Sequence, residues 1–183
     1  MDPVSQLTDE VLMSQVAQGN RAQIEPLVRR YANALLTFIQ RMAGDRHHSE
    51  ELFQEVFLAV WDKRAQYQYP RSFRAWLFAI AVNKCREAGR LRRLPSLPFE
   101  EGLAPGTDSR PEDRAIATET ASLVSRAVST LPAQQRAVVV LRIWQNLSYT
   151  EIAAIVGRSE ATVRSHMHHG LAGLRKYLEP RLV

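Results

Sequence analysis

The outward side of a C-terminal stretch carries hydroxyls, imidazoles and one guanidinium, which are groups that hydrogen-bond to base edges and phosphates. Apolar residues recur at helical spacing through the same stretch and predict a stripe that faces inward. That stripe consists of Val163, Met167, Leu171 and Leu174. The side chains that face outward or lie on the flanks are Thr162, Arg164, Ser165, His166, His168 and His169. Such a face suits insertion into a DNA major groove, and the alternative is a helical hairpin whose polar face is only solvated.

The residues just before this helix specify another helix and a tight turn. Ser148 can cap the earlier helix while Glu151 reaches back to the amide of the cap, as in a capping box. Gly157 tolerates a left-handed backbone at the helix end, and Ser159 can cap the next helix at once. Two helices joined by so short a turn have the layout of a helix-turn-helix.

Cations and aromatic rings form a second candidate nucleic-acid surface in the first half of the chain. Side chains at spacings of three, four and three residues predict a stripe on one helix face that could follow a phosphate backbone. The stripe consists of Asn83, Arg86, Arg90 and Arg93. The loop before this helix interleaves rings, which can stack on an unpaired base, with cations for its phosphates. The loop residues are Lys63, Arg64, Tyr67, Tyr69 and Arg71. Single-stranded or melted DNA would suit both groups.

A third patch is acidic and contains one apolar residue. Leu58 is expected to be exposed in its middle. The surrounding side chains are Glu51, Gln54, Glu55 and Asp62. An exposed leucine within an acidic face is typical of a protein docking surface. The alternative is a solvated helix face with one stray leucine, which is a common occurrence.

Three amphipathic helices are predicted to position these N-terminal patches. The first runs from Ile24 to Met42 and ends at Gly44, and the second spans about residues 49–61. The third follows Pro70, with Ser72 as its N-cap. Together with the helix-turn-helix, these elements predict an all-α protein.

Charge and proline content divide the chain into three parts. Residues 1–94 have 14 basic and 10 acidic side chains, residues 95–113 have 1 and 5, and residues 114–183 have 9 and 4. The middle part holds four of the nine prolines and shows no helical or alternating period, so it predicts a flexible acidic linker. We therefore expect two helical domains, 1–94 and 114–183, joined by the linker 95–113. Two basic domains are consistent with two contacts to a polyanion, although the same charges could serve solubility alone.

Other features argue against several functional classes. No apolar run approaches the roughly 20 residues that span a bilayer, and residues 1–10 lack the regions of a signal peptide, so we expect a cytoplasmic protein. Cys85 is the only cysteine, so neither an internal disulfide nor a cysteine cluster for zinc can form. No nucleophile, base and orienting acid lie at convincing spacing, and no glycine-rich phosphate loop is present. We therefore expect neither enzymatic activity nor a cofactor.

Several motifs together resemble the extracytoplasmic-function (ECF) sigma factors of the sigma-70 family. Those that resemble the second conserved region are Leu27-Val28-Arg29-Arg30-Tyr31, Gly44-Asp45-Arg46, Glu50 to Phe57, Ser72-Phe73-Arg74-Ala75-Trp76-Leu77 and Asn83. The segment from Leu131 to Leu178 resembles the fourth region. The two matches cover nearly everything except the N-terminal tail and the linker, and they follow the order and spacing of the family.

The resemblance implies a bacterial transcription initiation factor that binds core RNA polymerase and directs it to promoters. The acidic patch would dock on the clamp helices of the largest polymerase subunit. The loop and the stripe would capture and melt the minus-ten element, and the C-terminal face would read the minus-thirty-five element. The linker would thread the polymerase channels. Many relatives are held inactive by an anti-sigma factor that covers both domains, which adds a possible protein partner.

Departures from the family pattern affect the DNA contacts. Ala79 and Val82 stand where relatives often have arginines, and His166 and His169 stand where the recognition helix often carries them. Phosphate contacts there are expected to be weaker or pH-sensitive. Three histidines in four positions could also suggest a metal site, but only Glu160 is a nearby carboxylate, so we expect none.

Two other classes remain as alternatives. A helix-turn-helix regulator that binds DNA without polymerase would account for the C-terminal half but leaves the acidic patch unexplained. A nucleic-acid-processing enzyme would use the histidine cluster, and metal-dependent cleavage of DNA would be its signature.

Overall fold

Helices account for the regular structure of the residues that the computed structural model describes, which are 7–44, 46–91 and 111–181. The longer helices are α1 (Asp9–Ala17), α2 (Ile24–Ala43), α3 (Arg46–Asp62), α4 (Phe73–Leu91), α5 (Pro111–Ser129), α6 (Ala133–Ile143), α7 (Tyr149–Val156) and α8 (Glu160–Leu178). Short 3-10 turns occupy Arg21–Gln23, Arg64–Gln66 and Glu179–Arg181. The all-α prediction is confirmed.

Helices α1 to α4 pack around aromatic and aliphatic side chains. Phe38, Phe73 and Phe78 are fully buried, and the rings of Phe38 and Phe78 meet edge to face with their centroids 5.4 Å apart. Such pairs are favoured because the positive edge of one ring faces the negative face of the other. Helix α2 ends as predicted at Gly44, which has a left-handed backbone (φ 79°).

The sequence pattern does not predict α1, which is too short to show a convincing helical period. Leu12, Met13 and Val16 are nevertheless fully buried. A Glu10 carboxylate oxygen accepts a hydrogen bond from the backbone amide of Phe73 (3.2 Å), which ties α1 to the start of α4. The segment before α2 therefore belongs to the core and helps to set the position of α4.

Helices α5 to α8 form a second group around α6. Residues 137–141 of α6 are buried, because α8 packs on one side of the helix and α2 on another. The two groups of helices therefore contact each other, and their buried side chains form one continuous hydrophobic cluster. Helix α5 begins at Pro111, so residues 111–113 of the predicted linker are helical, whereas residues 95–110 lie outside the described residues. Proline is tolerated in a first helical turn because the amide there has no helical partner.

The helix-turn-helix is present as predicted. Ser148 Oγ accepts a hydrogen bond from the Glu151 amide (3.2 Å), and a Glu151 carboxylate oxygen accepts one from the Ser148 amide (2.7 Å). Gly157 has φ 65° at the end of α7, and Ser159 Oγ caps α8 by accepting from the Thr162 amide (3.2 Å). These hydrogen bonds define the turn that orients α8 relative to α7.

The predicted inward stripe of α8 is wrong at Leu171, whose side chain is 46% exposed. Gly170 faces inward instead, and a Cβ atom added to it would lie 2.6 Å from Val139 Cγ2. At about 100° per residue, position 170 deviates by about 20° from the direction of Val163, whereas position 171 deviates by about 80°. The close approach of α6 and α8 thus depends on a residue without a side chain, which a search for apolar residues does not detect.

Candidate DNA-binding and protein-docking surfaces

The acidic patch lies on the solvent side of α3. Leu58 is 62% exposed, more than any other large apolar side chain among the described residues. The surrounding side chains are also exposed, namely Glu51, Gln54, Glu55 and Asp62. Covering an exposed apolar side chain with a partner removes it from water and lowers the free energy of the complex, so the patch suits protein docking.

Polar contacts connect the patch to neighbouring side chains. Lys84 Nζ on α4 lies 3.2 Å from Glu55 Oε2, and both side chains remain partly exposed. His48 Nδ1 lies 3.4 Å from Glu51 Oε2. Water screens exposed pairs of this kind, so a partner can rearrange them at small energetic cost.

The loop between α3 and α4 presents several of its predicted DNA-binding residues. Tyr69 is 60% exposed, and Lys63 and Arg71 are exposed as well. The guanidinium of Arg64 lies 4.2 Å from the centre of the Trp61 ring, and its Nη1 donates to the Trp61 carbonyl oxygen (2.8 Å). Tyr69 is therefore the ring of this loop that is available to stack on a base.

Tyr67 differs from the expectation, because only 8% of it is exposed. Its ring meets those of Phe73 and Trp76 at centroid distances of 6.4 Å and 5.4 Å, and its hydroxyl donates to the Arg71 carbonyl oxygen. Burial raises the pKa of Tyr67 to about 12, so the hydroxyl remains protonated and can donate. In this structure Tyr67 packs between the loop and α4, and the face of its ring is not exposed to solvent.

The stripe on α4 is exposed at Asn83 and Arg90 and half-buried at Arg86. Burial lowers the pKa of Arg86, and the positive charge of Arg158, in the turn between α7 and α8, lowers it further. Among the described residues, Arg86 Nη2 has no hydrogen-bond partner although it is buried. Two neighbouring guanidinium groups suit a phosphate. Sequence reasoning did not single out Arg158, and Arg93 lies outside the described residues.

The outward face of α8, which carries the predicted DNA contacts, is open to solvent. Its exposed side chains are Arg164, Ser165, His168 and His169, and Thr162 and His166 are partly covered. Arg164 donates to Glu160 Oε1 through Nε (3.2 Å) and through Nη2, and its guanidinium lies 4.5 Å from the centre of the Tyr149 ring. The hydrogen bonds from Arg164 and then from Thr150 lower the pKa of Glu160. These contacts hold the guanidinium of Arg164 in a defined orientation near the start of α8.

One imidazole of this face has a defined tautomer. His169 Nδ1 lies 2.8 Å from the Ser165 carbonyl oxygen. A carbonyl oxygen only accepts hydrogen bonds, so Nδ1 carries the proton and Nε2 of the neutral ring is an acceptor. Such an acceptor can pair with the amino group that adenine or cytosine presents in the major groove.

Within the described residues, no group of three or more histidine, cysteine, aspartate or glutamate side chains is arranged to hold a metal ion. Cys85 is buried, and burial raises the pKa of its thiol to about 12, so it is not a reactive thiolate. No described helix has both the length and the apolar character needed to cross a membrane.

Comparison with known proteins matches both halves of the chain. The family described as "Sigma-70 region 2" matches residues 27–94, and the family described as "Sigma-70, region 4" matches residues 122–174. The ECF RNA polymerase sigma factor SigE of Mycolicibacterium smegmatis is 35% identical over 169 residues, which are 88% of this chain and 65% of that protein. The ECF RNA polymerase sigma-E factor of Escherichia coli is 30% identical over 187 residues, 96% of either chain. The solved structure of CnrH in complex with the cytosolic domain of CnrY has a TM-score of 0.74 at 28% identity, covering 94% of this chain and 98% of that one.

Proposed function

We propose that this chain, which belongs to the ECF group of the sigma-70 family, is a transcription initiation factor that binds core RNA polymerase and directs it to promoters. One observation carries the proposal. Each half of the chain matches a sigma region, and each region presents exposed polar or charged side chains on its own helices.

Core polymerase is proposed to bind the acidic patch. The contact residues would be Glu51, Gln54, Glu55, Leu58 and Asp62. Leu58 supplies the apolar centre, and the surrounding acidic and amide side chains select a basic or polar rim on the polymerase. The exposed position of Leu58 supports this assignment.

The minus-ten element is proposed to bind the loop and the α4 stripe. The assigned side chains are Lys63, Arg64, Tyr69, Arg71, Asn83, Arg86 and Arg90, with Arg93 retained from the sequence pattern. Taking a base out of the stack costs a few kcal/mol, and stacking it on an aromatic ring returns about 1–3 kcal/mol. Tyr69 would stack on the extruded base, while Tyr67 holds the loop in shape. The phosphates of this DNA element would contact the cationic side chains of the loop and the stripe.

Helix α8 is proposed to insert into the major groove of the minus-thirty-five element. The assigned side chains are Thr162, Arg164, Ser165, His166, His168 and His169. Arg164 near the N-terminus of α8 would contact a guanine or a phosphate, and the small side chains allow the helix to approach the bases closely. The contribution of the chain is binding energy, so we propose an initiation factor without catalysis of its own that acts in the cytoplasm.

A protein inhibitor is the other proposed partner. CnrH was solved in complex with the cytosolic domain of CnrY. By analogy, we propose that this chain also binds an anti-sigma factor.

The experiment that tests the proposed function measures binding to core RNA polymerase. Full burial of a leucine side chain is worth about 1.5–3 kcal/mol, and 62% of Leu58 is exposed and available to a partner. Leu58→Ala should therefore cost about 1–2 kcal/mol, which is about 5- to 30-fold in Kd. Fluorescence anisotropy with labelled protein and purified core enzyme measures this change, and promoter-specific transcripts in vitro should weaken in parallel.

Ile143→Ala is the matched control, because Ile143 is a 48% exposed apolar residue outside the assigned surfaces. Its affinity for core enzyme should equal that of the wild type. DNA binding without any association with core enzyme would instead identify a stand-alone helix-turn-helix regulator.

A further inference from the structure

His169 makes a hydrogen bond within α8 that decides which of its ring nitrogens can accept one. Its Nδ1 lies 2.8 Å from the Ser165 carbonyl oxygen, one helical turn earlier, so Nδ1 carries the proton. Ser165 Oγ lies 3.4 Å from the same nitrogen, a longer contact in which the hydroxyl oxygen can serve as a second acceptor. In the neutral ring Nε2 therefore only accepts, and no described residue donates a hydrogen bond to it.

The orientation of the ring directs this acceptor away from α8. The two nitrogens of an imidazole lie on different sides of the ring, so Nε2 points outward when Nδ1 is turned towards the helix backbone. The ring of His168 packs edge to face against that of His169, with the two centroids 5.6 Å apart. His169 is nevertheless exposed, so a ligand can reach Nε2 from solvent.

The other assigned groups of the outward face of α8 differ from His169 in their hydrogen-bonding capacity. A guanidinium only donates, so Arg164 pairs with acceptors, whereas the hydroxyls of this face both donate and accept. Within the part of the chain that the structure describes, no hydrogen bond fixes the tautomer of His166 or His168. His169 is therefore the assigned side chain of this face that the structure defines as an acceptor.

An acceptor discriminates between bases that differ in the polarity of one group. In the major groove adenine presents its N6 amino group where guanine presents the O6 acceptor, and cytosine presents its N4 amino group where thymine presents O4. Nε2 of the neutral ring can accept from either amino group, but it would face O6 or O4 acceptor to acceptor. Both acceptors would then lose water without gaining a hydrogen bond, which is unfavourable.

The spacing along α8 separates this contact from that of Arg164. The five residues from Arg164 to His169 rise about 7.5 Å along the helix, which corresponds to about two base-pair steps of B-DNA. The two side chains would therefore contact different base pairs. The contribution of His169 can thus be measured at its own position of the DNA element.

We propose that His169 is a specificity-determining residue of the minus-thirty-five contact, with Nε2 as the acceptor for the exocyclic amino group of one adenine or cytosine. At that position the chain prefers adenine over guanine, or cytosine over thymine. The inference rests on the proposed function, in which α8 enters the major groove, and it adds the base preference of one position.

The first experiment measures base preferences by selecting bound duplexes from a randomised library. It is carried out at about pH 8, where an imidazole is ordinarily neutral. One arm uses the full chain with core RNA polymerase, and the other uses the full chain alone. The proteins compared are wild type, His169→Ala and His169→Arg. His168→Ala is the matched control, because it removes an exposed histidine from the same face and leaves the hydrogen bond between His169 and Ser165 in place.

The variants should differ in the base that they prefer at one position. His169→Ala should lose the preference for the amino-bearing base there and keep the preferences elsewhere in the element. His169→Arg should reverse it towards guanine or thymine, because an arginine only donates. His168→Ala should retain it. The proposal fails if the wild type has no such position, if the preference survives in His169→Ala, or if only His168→Ala loses it.

A second experiment removes the amino group from the DNA. The selected adenine is replaced by purine, or the selected cytosine by 2-pyrimidinone, in a duplex that is otherwise unchanged. The loss of one hydrogen bond corresponds to about 5- to 10-fold in Kd, measured by fluorescence anisotropy. Wild type should show this weakening, and His169→Ala should change by less than about twofold because it makes no such bond. Equal weakening of the two proteins would show that another group contacts the amino group.

The tautomer is tested without DNA. Two-dimensional proton–nitrogen NMR spectra at about pH 8 distinguish a ring protonated at Nδ1 from one protonated at Nε2, and the signals of His169 are those absent from His169→Ala. A proton on Nε2 would overturn the inference. If the chain selects duplexes but never binds core polymerase, the initiation role fails while the base preference is still decided. If neither arm enriches any sequence, the proposed DNA contact of α8 fails, and the base preference fails with it.

Discussion

Gly170→Ala tests how closely α8 approaches α6, which sets the position of the helix that we propose to bind DNA. The added Cβ would lie 2.6 Å from Val139 Cγ2, well inside van der Waals contact. Val139 is fully buried. A β-branched side chain in a helix has one strongly preferred rotamer, so its methyl group cannot easily swing away. The two helices must then separate or accept strain.

Two opposing effects set the magnitude. Alanine favours a helix interior over glycine by about 0.8–1.0 kcal/mol. Overpacking a filled core costs about 1–3 kcal/mol. The free energy of unfolding should therefore fall by about 1 kcal/mol, and by about 2 kcal/mol at most.

Two other helical glycines provide controls for the same substitution. Gly89 has no atom within 4 Å of an added Cβ, so Gly89→Ala should stabilise the protein by about 0.5–1 kcal/mol. At Gly173 the Cβ would lie 2.9 Å from Leu131 Cδ2, the end of a flexible side chain that can move. Gly173→Ala should fall between the other two variants.

Urea denaturation followed by circular dichroism measures the three changes. The expected order of stability is Gly89→Ala, then Gly173→Ala, then Gly170→Ala. A Gly170→Ala variant as stable as Gly89→Ala would refute the close contact of α6 with α8. The double variant with Val139→Ala should also be less destabilised than the sum of the single variants, because removal of the methyl group relieves the clash.

Other side chains make separate predictions. Hydrogen bonds from Ser148 lower the pKa of Glu151 in the folded protein below the ordinary value of 4.5. The ionised carboxylate therefore stabilises the fold fully above pH 4.5, and this stabilisation is lost as the pH falls through the lower pKa of the folded state. The melting temperatures of wild type and Glu151→Gln should therefore differ at pH 7 and converge at acid pH, and a difference that does not change with pH would contradict the capping box. Arg164→Ala should weaken binding to a minus-thirty-five duplex by about 1–3 kcal/mol in fluorescence anisotropy, and unchanged affinity would reject its role. Tyr69→Ala should slow promoter opening, followed by 2-aminopurine fluorescence, without loss of stability. Tyr67→Ala should instead lower the free energy of unfolding by about 3 kcal/mol, and the reverse pattern would contradict the burial of the two rings.

Local signals predicted the helix-turn-helix and the helix ends near it. Ser148, Glu151, Gly157 and Ser159 act within a few residues of their own position, and the structure places each in the predicted hydrogen bond or backbone conformation. The exposed Leu58 was predictable for a similar reason, because the periodicity of α3 alone decides which face it occupies.

The burial of Tyr67 could not be predicted from such local signals. Alternation in the loop placed Tyr67 and Tyr69 together as base-stacking rings, yet one is buried and the other is exposed. Their difference depends on Phe73 and Trp76, which face Tyr67 only once α4 has packed against the loop. The burial of a loop side chain is decided by a neighbouring element and leaves no local periodic signal.

The sequence by itself determined that the chain is helical, that it ends in a helix-turn-helix, and that acidic and basic surfaces occupy different helices. Capping residues, turn glycines and apolar spacing are properties of short segments, so they can be read without knowledge of which helices meet. Only the tertiary structure decided that Gly170 takes the place of Leu171 in the core and that Gln145 joins α2 to α4. These contacts connect residues that are between 31 and 111 positions apart in the chain. Which residues contact each other here depends on how whole helices pack, and no local sequence pattern encodes that packing.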